Sequence, residues 1–158
     1  MDEQQLRNRG AARVQAIVVR GQRILMAKHR LQHVEFWCLP GGGLEKDETL
    51  EEGVLRELEE ECNVQGHVLR LTSNLIEASG VESFTYLVDI GDQETSLGHD
   101  PEVDPKSPIL VDLQWLALNE VPERDRAFLW QAGLMTIPGF LEQVEGWGDA
   151  ISCPDCIG

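Results

Sequence analysis

Between Arg56 and Glu61 the chain reads Arg-Glu-Leu-Glu-Glu-Glu, and on a helix Glu57, Glu60 and Glu61 fall at i, i+3 and i+4, within one narrow arc. Like charges at these spacings repel by roughly a few tenths of a kcal/mol per pair, and negative charge in a last helical turn also opposes the helix dipole. A divalent cation reverses the sign of both penalties. Oxygen-only donors in this number suit Mg²⁺ or Mn²⁺, which keep several waters and share their remaining positions with phosphate oxygens. The competing interpretation is a solvated acidic face, the common fate of a glutamate-rich helix. The residues around the cluster decide between the two.

Upstream, Phe36-Trp37-Cys38-Leu39 runs into Pro40-Gly41-Gly42-Gly43. Proline stops the strand, and the glycines let the backbone come close to a ligand. The acidic helix itself is predicted over 49–62. Thr49 and Glu52 form a capping box, Leu50, Val54 and Leu58 make the buried stripe, and Asn63 supplies a left-handed C-cap. Gly53 inside this helix implies close packing against a neighbour. Before the glycines, 14–28 is expected to be a hairpin turning at Gly21-Gln22, followed by a polar loop over 29–35. After the helix, 68–76 and 81–90 are expected to be a pair of strands, with Phe84, Tyr86, Val88 and Ile90 on one face. A long acidic loop over 91–108 carries Asp100, Glu102 and Asp104, and a strand follows over 109–116. Asp125 is expected to cap a helix reaching Met135, with Phe128, Ala132 and Met135 on its inner side and Pro138-Gly139 ending it.

The 158 residues suit one domain, 1–158, with 42% hydrophobic residues to build its core. Thirteen Lys and Arg against 28 Asp and Glu leave a net charge of −15, the opposite of what a nucleic-acid binder needs. If the chain handles phosphates, cations held by carboxylates must neutralise them. The acidic start argues against a secretory signal, and no apolar run approaches the roughly 20 residues of a membrane helix. Four cysteines imply no disulfide framework, so a reducing, cytoplasmic setting is expected. Cys153 and Cys156 are read as an inert terminal pair, with a zinc site, either between subunits of a homodimer or completed by histidine, or a redox role as alternatives. Arg20, Arg23, Lys28 and Arg30 gather around the first hairpin, where Arg30 is the best placed to meet a phosphate. Trp37 and Trp115 read as core. Phe36 is a candidate for stacking against a base.

Gly42, Glu48, Arg56-Glu57-Leu58, Glu60-Glu61 and Val64, at these offsets, resemble the signature of the Nudix hydrolases, with Asn63 standing where that signature ends in glycine. Six charged or glycine identities at fixed spacing coincide by chance less than about once in a million starting points. The lead-in 37–42 and the strand 113–118 are also similar to family segments, so the likeness spans about 12–122, leaving a C-terminal helix and tail over 123–158. The resemblance implies an α/β (α+β) fold in which a mixed sheet is sandwiched between helices. It implies metal-dependent hydrolysis of the phosphoanhydride bond in a nucleoside diphosphate linked to another group. In it Glu57, Glu60, Glu61 and the Gly41 carbonyl bind the metal, while Gly42, Glu48 and Arg56 are scaffold. The general base is Glu57 or Glu60, with Glu102 and Asp112 as local alternatives that could also serve as metal ligands. Gly80, Val81 and Glu82 lack the proline of ADP-ribose enzymes and the tyrosine of dinucleoside polyphosphate enzymes, so nucleoside triphosphates and nucleotide sugars stay open. The alternative from another class is a nucleotide-sensing module of the same fold without catalysis, which would be expected to lose the carboxylates. RNA decapping meets the charge of −15 and ranks last.

Overall fold

The computed structural model describes residues 12–98 and 108–147. His99, Asp100, Glu102, Asp104 and the Cys153/Cys156 pair lie outside the described residues. Strands β1 (Arg13–Ile17), β2 (Val19–Arg20), β3 (Arg23–Leu31), β4 (Val34–Cys38) and β5 (Gly41–Gly43) precede helix α1 (Leu50–Cys62). Then come β6 (His67–Ile76), β7 (Glu82–Asp89), β8 (Ile109–Ala117), α2 (Glu123–Gln131) and α3 (Phe140–Glu145), with 3₁₀ turns at Leu118–Glu120 and Leu134–Thr136.

One sheet is mixed, in the order β5-β1-β7-β6, with β1 parallel to β7 and the other pairs antiparallel. The other is antiparallel, with β2 and β4 pairing with β3, which also pairs with β8. Strand alternation sends neighbouring residues to opposite faces. Val14, Ala16, Val18 and Leu25 pack with Val54, Leu58 and Cys62 of α1, whereas Ile17, Ile24 and Met26 pack with Leu129 of α2, Leu134 and Phe140 of α3. The strands therefore lie between α1 on one side and α2 with α3 on the other, the layered mixed fold that the resemblance implies. Among the described residues no helix is long and apolar enough to cross a membrane.

The expected pair β6–β7 is present, and Phe84, Tyr86, Val88 and Ile90 are all buried in the α1 core. Gly53 faces Leu44 and Glu48, and a Cβ there would stand 2.5 Å from Leu44 Cδ2. Three expectations are corrected. The Gly21-Gln22 turn joins β3 to the two-residue β2, while β1 crosses to the other sheet and pairs with β5 and β7. The polar stretch 29–35 is not a loop, because β3 continues to Leu31 and turns through Gln32 (φ 57°) into β4. Asp125 does not cap a helix. It lies inside α2, nine-tenths or more buried, and its Oδ2 accepts from the Trp37 amide at 3.0 Å, tying α2 to β4. Phe128 points outward and Leu129 inward, while Ala132 is buried and Met135 packs against the same core as expected; the helix ends at Gln131 and does not reach Met135. Asp125→Ala is expected to lower stability by about 1–3 kcal/mol, because it strands the Trp37 N–H; urea denaturation measures it, and an unchanged midpoint would show the bond to be dispensable.

Candidate active site

Helix α1 starts at Thr49, whose hydroxyl accepts from the Glu52 amide at 3.1 Å, and ends at Asn63 in the left-handed conformation (φ 56°, ψ 39°). Its length and phase follow from these two caps, and the phase aims the acidic residues. Glu57 and Glu61 are 8% and 2% exposed, on the same face as Val54 and Leu58. A solvated acidic face would look different.

Burial of Glu57 is possible because of what it lies against. Strand β5 pairs Gly42 with Val14 of β1, so the glycine backbone is fixed under the helix. A Cβ at Gly42 would stand 2.5 Å from Glu57 Oε1, so the carboxylate occupies the space a side chain would take. At Gly41 a Cβ would run into the Val14 carbonyl oxygen. These glycines are needed for close approach.

Arg56 organises the acids. Its Nε and Nη2 donate to Glu48 at 2.7 and 3.0 Å, Nη2 donates to the Gly43 carbonyl at 2.9 Å, and Nη1 donates to Glu57 and Glu60 at 3.0 and 3.1 Å. The family resemblance marked Arg56 and Glu48 as scaffold, and the contacts of Arg56 to the other two carboxylates were missed. The hydrogen bond from Arg56 holds the Glu48 carboxyl below its usual range, and the same bond raises Arg56. A depressed carboxyl contributes stability above its unfolded pKa and loses it as pH falls through the lower folded value. Glu48→Gln is thus expected to cost about 2 kcal/mol near neutral pH, with the gap to wild type closing as pH drops below about 4.5. Thermal melts across pH check this; a gap constant with pH contradicts it.

The acids line a cavity of about 370 Å³ together with Gly41, Gly42, Gly43, Arg56, Cys38 and Phe36. Phe36 is stacked on His29 of β3, with centroids 6.0 Å apart and planes 21° apart. Cys38 Sγ lies 3.1 Å from His29 Nδ1, and burial, then the charge of Glu61, pushes its thiol up to about 12. Arg13 and Gln15 also line this space, opposite Gly43 and Gly41 in the β1–β5 register. The sequence reading overlooked both. Their parity held the signal, since they alternate with Val14 and Ala16 and so share the exposed face of β1.

Two candidates fall elsewhere. Arg30 is engaged on the outside of the β3–β4 hairpin by Glu35 at 2.9 Å and does not line the cavity. Asp112 does not line it either, and its Oδ1 accepts from the Leu113 amide at 2.8 Å. Glu102 lies outside the described residues. The Gly98 amide donates to the Glu61 carbonyl at 2.8 Å, and Pro108 lines the cavity. Among the described residues no three His, Cys, Asp or Glu side chains converge as a metal cage; Glu57 and Glu60 are held by Arg56.

Comparison with known proteins agrees with this geometry. The NUDIX domain model matches residues 9–136. The chain is 30% identical over 95 residues to Putative nudix hydrolase 1 of Caenorhabditis elegans, a match covering 59% of this chain and 25% of the relative, so the matched part spans about a quarter of that protein's length. Among solved structures, a MutT NUDIX hydrolase from Burkholderia pseudomallei superposes with a TM-score of 0.56 at 27% identity, covering 77% of this chain and 96% of the other. An ADP-ribose pyrophosphatase from Streptococcus suis superposes with a TM-score of 0.63 at 16% identity, covering 82% and 93%, a likeness of fold. The helix with its buried acids, the glycine strand beneath it and the match over most of the chain lead to one conclusion: this protein belongs to the NUDIX family.

Proposed function

We propose that the chain is a divalent-cation-dependent hydrolase that cleaves the phosphoanhydride bond of a nucleoside diphosphate linked to another group. The observation that carries this reading is the placement of Glu57 and Glu61, buried on the inner face of α1, beside Glu60 at a cavity floored by glycine backbone. Burying carboxylates together is costly unless positive charge meets them. Arg56 supplies part of that charge, and the remainder suits a cation.

The residues fit such an ion. The donors are oxygen, Gly42 leaves the space that the Glu57 carboxylate fills, and the Glu60 side chain, paired with Arg56, is 27% exposed against 11% for Glu57. Glu57, Glu60, Glu61 and the Gly41 carbonyl would hold Mg²⁺ or Mn²⁺. When bound, the cation supplies charge neutralisation at the diphosphate and acidifies water near neutral pH. The protein's own part is to position and to move a proton. Glu57 or Glu60, both of which line the cavity, would take the proton of the attacking water. Arg56 keeps the Gly43 carbonyl and the α1 carboxylates in register, and Arg13 offsets substrate charge at the cavity. Phe36, stacked on His29, offers a ring surface to a base. The free thiols of Cys38 and Cys62 suit a reducing, cytoplasmic compartment.

A panel of nucleoside triphosphates, nucleotide sugars and ADP-ribose, incubated with Mg²⁺, tests the reading. Release of a nucleoside monophosphate or of pyrophosphate from at least one member is expected. Tight binding of a nucleotide with no product at any cation concentration would favour the sensing module instead.

A further inference from the structure

Asn63 stands at the C-cap of α1, where glycine would give the same backbone. Its side chain does something glycine cannot. Nδ2 donates to the Ser96 carbonyl at 3.2 Å and to Ser96 Oγ at 2.9 Å. Ser96 in turn donates its amide to the Cys62 carbonyl at 3.1 Å, and the Gly98 amide reaches the Glu61 carbonyl at 2.8 Å. The segment is pressed so closely onto the helix that a Cβ on Gly98 would fall on the Glu60 carbonyl oxygen.

The last turn of a helix leaves carbonyls without partners inside the helix, and here that turn also carries Glu60 and Glu61. Their charge opposes the helix dipole, and no basic residue in the turn offsets it. The turn therefore tends to fray in the absence of other support. The amides of Ser96 and Gly98 satisfy two of the exposed carbonyls and resist fraying.

The other end of the segment is secured independently. Arg20 donates to the Gly91 and Gln93 carbonyls at 3.0 and 2.8 Å, while the Gln93 side chain bonds the backbone of Gln65 and Ile90. Removing the Asn63 side chain would then leave 96–98 held to α1 by the Ser96 and Gly98 amides alone, and so loosened, with 91–93 in place.

We propose that Asn63 is a positioning residue: through Ser96 it clamps the 96–98 segment over the last turn of α1 and so fixes Glu60 and Glu61 for the divalent cation. This rests on the cation site proposed above. It extends that reading by assigning a role to a residue that touches neither cation nor substrate.

The test uses the full chain and Mn²⁺ alone, with affinity measured by titration of the free-ion EPR signal. Asn63→Gly keeps the left-handed backbone, so the helix is expected to survive. The Ser96 and Gly98 amides should lose hydrogen-exchange protection, and Mn²⁺ should bind on the order of 10-fold more weakly, the lower end of what outer ligand-orienting contacts confer. Gly98→Ala, which lifts the segment with Asn63 intact, should weaken binding similarly. In turnover assays, both variants should need more cation for half-maximal rate while the substrate KM at saturating cation stays near wild type. Protected amides or unchanged Mn²⁺ affinity in Asn63→Gly would overturn the clamp while leaving the cation site standing. A wild-type chain that binds no Mn²⁺ would overturn both.

Discussion

Glu60→Gln is expected to lower turnover by about 10²–10⁴-fold, because on the proposed reading it removes a carboxylate that would hold the cation and, as a candidate base, would take a proton. The fold should hardly notice. Sequence reasoning alone predicts an unchanged or raised thermal midpoint, since three clustered charges become two. The structure adds an opposing term, the Arg56–Glu60 bond at 3.1 Å across one helical turn, which the substitution weakens. Partly exposed pairs of this type contribute about 1 kcal/mol or less, so the two effects nearly cancel. Steady-state rates beside thermal melts check both halves. Turnover within about threefold of wild type would remove Glu60 from the chemistry, a result far outside the range expected of a metal ligand or general base.

Arg56→Gln has the largest expected effect on stability. It deletes the donor shared by Glu48, Glu57, Glu60 and the Gly43 carbonyl, all at 2.7–3.1 Å. Breaking a largely buried network leaves its acids uncompensated, and about 2–4 kcal/mol is expected to be lost in chelator-treated protein. Part of this should return on adding Mg²⁺ or Mn²⁺, because a ligand that binds only the folded state stabilises it by mass action. Denaturant titrations with and without cation measure the difference. Equal losses in both conditions would mean that the guanidinium and the cation do not serve the same carboxylates.

What the sequence disclosed depended on how local the determining interaction is. Helix α1 was legible in full, because Thr49, the Leu50–Val54–Leu58 stripe and Asn63 each act within a few residues. The β6–β7 pair was legible for the same reason, joined by a short turn. The partner of β1 was not. Its alternation marks a strand, but pairing with β7, about seventy residues away, is set by the packing of Val14 and Ala16 against α1. The stretch 29–35 looked like a loop because its side chains are polar, although an outward-facing hairpin tolerates them.

At the site, the acid cluster and the glycine run were legible from type and spacing. Burial of Glu57 and Glu61 was not, since it depends on β5 passing under the helix with no side chain at Gly42. The same limit hid Arg13, Gln15 and His29, which line the cavity through strand register, and it favoured Arg30, which the register places outside. Asn63 was recognised for its backbone. Its side-chain hold on Ser96 spans 33 residues and could not be read from the helix alone.

The central claim is that the inner face of α1 exists to hold a doubly charged cation. Anomalous diffraction from crystals soaked in a manganese salt with a non-hydrolysable nucleotide tests it most directly. The account predicts a peak bonded to carboxylate oxygens of Glu57, Glu60 and Glu61, with Glu60 turned away from Arg56 and a phosphate oxygen completing the shell. Carboxylates still engaged by Arg56, with no peak beside them and nucleotide bound elsewhere, would contradict it.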